Sequence, residues 1–237
     1  MPVRVRSVAT SAVVAVLALG LTGCDRNEIK YKPKPAASGA KANMPAVPNV
    51  PQKPIKKGDA YTVWGASYYL RSRVHHKEVA DKKLSISGWI VKTNLPQAPK
   101  CAVHKTGKAD PDNCNPPIPA FWIGDTKDAK LENCIKVEGW ASNFAQIYDA
   151  IEKYKKVKDE DKGPDEPVQD ELWAVPLPYP LPVKGAEVTV TGQYSTTFTR
   201  SSTGTEADPI MGLMTYQKVD YKTKPADKAT LPGMKDD

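Results

Sequence analysis

The chain has few of the side chains that most enzymes rely on. Its 237 residues include three His, three Phe and four Cys. None of His75, His76 and His104 has a recognisable catalytic neighbour. No G-x-S-x-G or H-E-x-x-H pattern is present, so the serine-hydrolase elbow and the zinc-protease signature are missing. Asp110-Pro-Asp-Asn113 begins like a calcium loop but lacks the glycine and terminal glutamate that an EF-hand needs. No cofactor signature is found, and the chain reads as a non-enzyme. Long apolar runs are also missing. The longest, Val8 to Leu21, would rise only about 21 Å as a helix, short of the ~30 Å hydrocarbon core.

What is present is charge, unevenly placed. The formal net charge is +7, which alone would suggest a nucleic-acid partner. Residues 24–58 hold eight bases against two acids, whereas residues 59–237 hold 24 bases against 25 acids. The basic excess therefore lies outside the part long enough to fold, and nucleic acid becomes the alternative reading.

Arg4 and Arg6 followed by the apolar run make residues 1–23 a signal peptide. Its end, Leu21-Thr22-Gly23-Cys24, resembles the lipobox of bacterial lipoproteins. The resemblance implies lipidation of Cys24, with palmitate among the acyl chains, and anchoring on the periplasmic side of a bacterial membrane. Acyl chains contribute ~0.8 kcal/mol per buried methylene, so two or three anchor stably. Asp25 implies retention at the inner membrane, with the outer membrane as the alternative. Residues 25–58 carry six Pro and almost no large apolar side chain, the composition of a disordered tether. Residues 223–237 repeat that composition and read as a tail.

Between them, 59–222 reads as one domain. A short helix is expected from Asp59 to Leu70. Strands are expected at Leu84–Val91, Phe121–Ile123, Ile135–Trp140, Val188–Gln193 and Leu213–Tyr221. Ser142 or Asn143 can cap a helix whose apolar stripe is Phe144, Ile147, Tyr148, Ile151 and Tyr154. Asp159 to Glu171, with seven acids, reads as a solvated loop. Pro176 to Pro182 alternates prolines, as an extended lead-in packed on its own domain or a docking peptide.

Three strands, a helix and two strands resemble the OB-fold, a mainly β, five-stranded Greek-key barrel with a helix between strands three and four. Leu84-Ser-Ile-Ser-Gly-Trp-Ile90 and Lys184-Gly-Ala-Glu-Val-Thr-Val-Thr-Gly192 are similar to its first and fourth strands. The resemblance implies a binding rim and no particular ligand.

Once Cys24 is lipidated, Cys101, Cys114 and Cys134 remain. Cys101 and Cys114 share one Pro-rich loop, whereas Cys134 opens the third strand, so a Cys101–Cys114 disulfide is expected, with a Cys134 pairing as its rival. A metal bound by Cys101, His104 and Cys114 lacks the short paired spacings of structural zinc, and none is expected. Trp89, Trp122 and Trp140 stand out of phase with the aliphatics of their strands, so all three are expected outward on one aromatic face. The competing arrangement covers that face with Trp64, Tyr68 and Tyr69. The chain thus reads as a membrane-anchored extracytoplasmic binding or scaffold module of the cell envelope, whose partner is an envelope protein or a glycan.

Overall fold

Five segments rich in alternating β-branched residues pair edge to edge until the last meets the first. The computed structural model describes residues 53–105, 110–156, 168–198, 205–206, 211–223, 225 and 231–232. The signal peptide, Cys24, Asp25 and the tether as far as residue 52 lie outside them, as does 157–167 of the acidic loop.

The elements in order are β1 (Lys56–Lys57), β2 (Ala60–Thr62), α1 (Val63–Arg71), α2 (His76–Val79), β3 (Lys82–Thr93), β4 (Phe121–Gly124) and β5 (Ile135–Glu138). Then follow α3 (Phe144–Lys156), β6 (Gln169–Asp170), β7 (Val175–Pro176), β8 (Glu187–Ser195), β9 (Thr197–Phe198), β10 (Thr205–Glu206) and β11 (Leu213–Thr223). Strand order β3-β4-β5-β11-β8, with β8 returning to β3, closes a five-stranded barrel. Within the barrel only the β5–β11 pair is parallel, and α3 lies between β5 and β8 in the chain. The fold is an OB-like Greek-key barrel, as the strand pattern implied. Closure leaves these five strands without an open edge along the barrel wall.

Ile86, Ile90, Phe121, Ile123, Ile135, Val137, Val188 and Val190 point inward and are fully buried. From outside, α3 adds Phe144, Ile147 and Ile151, and Asn143 Oδ1 caps it by accepting from the Gln146 amide at 2.9 Å. The proline strip packs on its own domain: Leu177 and Leu181 are in the core, and the Tyr179–Pro180 bond is cis.

β3 pairs with β8 over Lys82–Trp89 and with β4 over Trp89–Thr93, so it passes from one side of the barrel to the other near Gly88. A Cβ on Gly88 would stand 2.8 Å from the Gly124 carbonyl oxygen, so only glycine allows this approach. The bulge itself falls beyond the glycine, between Ile90 and Lys92.

The first helix starts later than its apolar spacing suggested. Ala60–Thr62 forms β2, parallel to β3, and Thr62 Oγ1 accepts from the Gly65 amide at 2.9 Å to begin α1 at Val63. Hydrogen bonding to β3 keeps residues 60–62 extended, and Tyr61 and Thr62 are side chains that favour a strand. Among the described residues of the tail, Leu231 is 3% exposed and packs in the core.

Candidate functional site

The bend and bulge of β3 give its outer face two separate aromatic positions. Trp89 faces outward before the bulge. After it, Lys92 is paired with Trp122 on β4, which is paired with Lys136 on β5. The Lys92 and Lys136 ammonium groups lie 5.2 and 5.8 Å from the Trp122 ring centre. Lys127 lies 4.4 Å over Trp89. Both indoles are partly exposed and flanked by cations, an arrangement that can accept a flat or anionic group.

Trp140 does not join them. It is 0% exposed and packs in the core, its ring 6.2 Å from Phe121. The strand phase breaks because β5 ends at Glu138 and Gly139 adopts φ 81°, a left-handed conformation that redirects the next side chain inward. The expected three-tryptophan face is therefore two tryptophans.

Glu138 ends the same strand and is fully buried, paired with the Lys136 ammonium. Burial raises its carboxyl above the usual 4.5, with the Lys136 hydrogen bond and charge only partly opposing. The folded state therefore holds the Glu138 proton more tightly than the unfolded chain. Its contribution to stability is greatest below pH 4.5 and is lost as pH rises through the folded-state value. Glu138→Gln is expected to stabilise the domain by about 1 kcal/mol at pH 7 and to have almost no effect near pH 4. Lys136, partly exposed, can turn to water in the variant. Urea unfolding at the two pH values checks this, and a loss of stability at pH 7 would contradict it.

Cys101 and Cys114 form the disulfide, with Cα atoms 5.9 Å apart. The loop that holds them is closed at its base by Asn94, whose Oδ1 accepts from the Ala120 amide and whose Nδ2 donates to the Ile118 carbonyl, both at 2.8 Å. Cys134 stays free. It precedes β5, is buried, and donates to the Lys130 carbonyl at 3.3 Å. Burial, and then the charge of Asp125, push its thiol up to about 11. His104 lies 3.1 Å from Asp110, and His75 is stacked on Tyr69 and 2.7 Å from Glu78. Among the described residues no group of three or more His, Cys, Asp or Glu is placed to hold a metal ion. No helix among them is long and apolar enough to cross a membrane.

One arrangement has no counterpart in the strand pattern. Asp125, in the β4–β5 connection, caps α1 from 62 residues away, its two oxygens accepting from the Val63 and Trp64 amides at 2.8 and 2.9 Å. This places Trp64 beside Trp89 along one groove of about 450 Å³. The competing arrangement, in which the N-terminal segment covers the aromatic face, is thus met in part. Trp64 reaches the groove of Trp89, and Trp122 does not line it.

No protein-family model matches the chain, and no curated protein is similar to it. Among solved structures, a putative aspartyl-tRNA synthetase from Leishmania major Friedlin aligns over 80% of this chain and 24% of its own, at 14% identity and TM-score 0.32. The chain thus spans about a quarter of that protein's length.

Proposed function

We propose that the chain is a lipid-anchored binding or scaffold module of the cell envelope, whose outer barrel face engages an envelope protein or a glycan. The row Lys92–Trp122–Lys136 carries this reading, because it sets a partly exposed indole between two ammonium groups on three paired strands. Large aromatic rings with flanking cations are the usual anchors of recognition surfaces. The lipobox at Leu21–Cys24 supports the anchor, and the near-neutral charge of 59–237 fits a partner other than nucleic acid.

Two measurements test it. Radiolabelled palmitate is expected on the wild-type chain and not on Cys24→Ala. Formaldehyde crosslinking in intact cells is expected to give a discrete adduct, reduced about fivefold or more by Trp122→Ala at an unchanged protein level. An unlabelled wild-type chain contradicts the anchor, and identical adducts in the variant contradict the face.

A second reading has one specific observation in its favour. Single-strand binding needs aromatics interleaved with Lys or Arg, and this same row supplies such a set. Oligonucleotide affinity that falls steeply between 50 and 200 mM salt, as counterion release requires, would favour it over the first.

A further inference from the structure

We infer that the groove between Trp64 and Trp89 binds an acidic saccharide. The inference rests on the reading of the chain as a binding module, and it names a ligand class and a place apart from Trp122. The groove runs between the start of α1, the middle of β3 and the lead-in at Lys53–Lys57. Its volume, about 450 Å³, falls within the ~300–1,000 Å³ that ligand sites occupy.

Its lining combines two chemistries. Trp64 is stacked on Tyr68 with ring centres 4.9 Å apart and planes 14° apart, which holds its indole in a fixed orientation. The Lys127 ammonium caps Trp89. Two indoles along one groove, Trp64 with one face on Tyr68 and Trp89 with one face under Lys127, leave their other faces for the C–H faces of sugar rings. The charges favour an anion. Three lysines, Lys53, Lys56 and Lys57, line the groove with Asp125 and Glu187, the Lys56 ammonium lying 4.5 Å over the Tyr61 ring. Asp125 is held by two amides at a helix N-terminus, and Glu187 is engaged by Lys57 at 3.1 Å.

An inorganic anion would make no use of the indoles, and an apolar ligand would make none of the lysines. A sugar can instead donate hydroxyls to those carboxylates and set its own carboxylates near Lys53 and Lys56.

The test is calorimetric titration of the full chain in detergent with tetragalacturonate, cellotetraose and an oligothymidylate as probes. Saturable binding of tetragalacturonate is expected, with cellotetraose at least ~tenfold weaker. Trp64→Ala is expected to weaken tetragalacturonate binding ~tenfold or more, and Leu172→Ser, on an exposed loop residue, to leave it unchanged. Lys53→Glu/Lys56→Glu, a surface change that spares the aromatic packing, is expected to weaken it about fivefold and serves if Trp64→Ala fails to fold. Absence of saturable binding, equal affinity for cellotetraose, tighter binding of oligothymidylate, or indifference to both variants overturns the inference. Trp122 does not line the groove, so the crosslinking result stands or falls separately from this one.

Discussion

Asp170→Ala is expected to cost the domain about 4 kcal/mol, read as a shift of the urea unfolding midpoint at constant slope. The carboxylate is 0% exposed and serves as the acceptor for four donors. Oδ2 accepts from the Ser142 amide and hydroxyl, both at 2.6 Å. Oδ1 accepts from the Leu172 and Trp173 amides at 2.9 and 2.8 Å. Hydrogen bonds to a charged acceptor contribute ~1.5–3 kcal/mol each, and a buried donor left without one costs ~1–3 kcal/mol. Alanine removes all four acceptor contacts at once, and water reaching the site recovers some of the loss, which gives the intermediate figure. The same carboxylate joins the start of α3 to the β6–β7 hairpin, so these would separate together. Gln146 Oε1, accepting from the Glu171 amide at 2.9 Å, and Lys153, 3.6 Å from the Glu171 carboxylate, clasp the helix to the hairpin as well. Asp170→Asn keeps an acceptor for the two turn amides but turns an NH2 toward the Ser142 donors, so about half the loss is expected. A loss below ~1.5 kcal/mol for the alanine variant would show that the hub does not hold the hairpin.

Asp170 also marks where sequence patterning stops being informative. It lies in a run of seven acids that reads as solvated loop, and nothing local separates this carboxylate from Asp165 or Glu166. Its burial depends on Ser142, 28 residues earlier, and so on tertiary placement alone. The cap that Asp125 provides for α1 is equally non-local. Local periodicity worked where a strand is long and one of its faces is packed. The alternation Ile86/Ile90 and Val188/Val190 placed β3 and β8, and the order of strands and helix then implied the barrel. The outward phase of Trp122 was legible because Phe121 and Ile123 beside it are both buried. The rule failed at Trp140, since one positive φ at Gly139 ends the period of two. It also missed Glu138, whose outward position is covered by other parts of the chain. The Trp64–Trp89 groove was not legible, because it is assembled from a helix start, a bent strand and a connection far apart in sequence. The outward phase of Trp89 on its strand was the one local sign of it.

The two kinds of tryptophan should separate cleanly when each is truncated. Trp140→Ala is expected to destabilise the domain by about 4 kcal/mol, within the range for large aromatic truncations in a core. The ring is fully buried beside Phe121, and the backbone fixed by Gly139 leaves little freedom for the cavity to collapse. Trp140→Phe is expected to cost only ~1 kcal/mol. The indole Nε1 has no hydrogen-bond partner among the described residues, so phenylalanine removes an unsatisfied donor along with some packing. Trp122→Ala, by contrast, is expected to cost under ~1 kcal/mol, because its ring is partly exposed on the outer face, with lysine ammonium groups 5.2 and 5.8 Å from its centre. Urea unfolding of the three variants decides the matter. If Trp122→Ala destabilised the domain as much as Trp140→Ala, its ring would be a structural cover, and the binding face would lose its main anchor. If Trp140→Ala were nearly silent, the aromatic would not be part of the core, and the turn at Gly139 would have to leave it free to face outward with the other two.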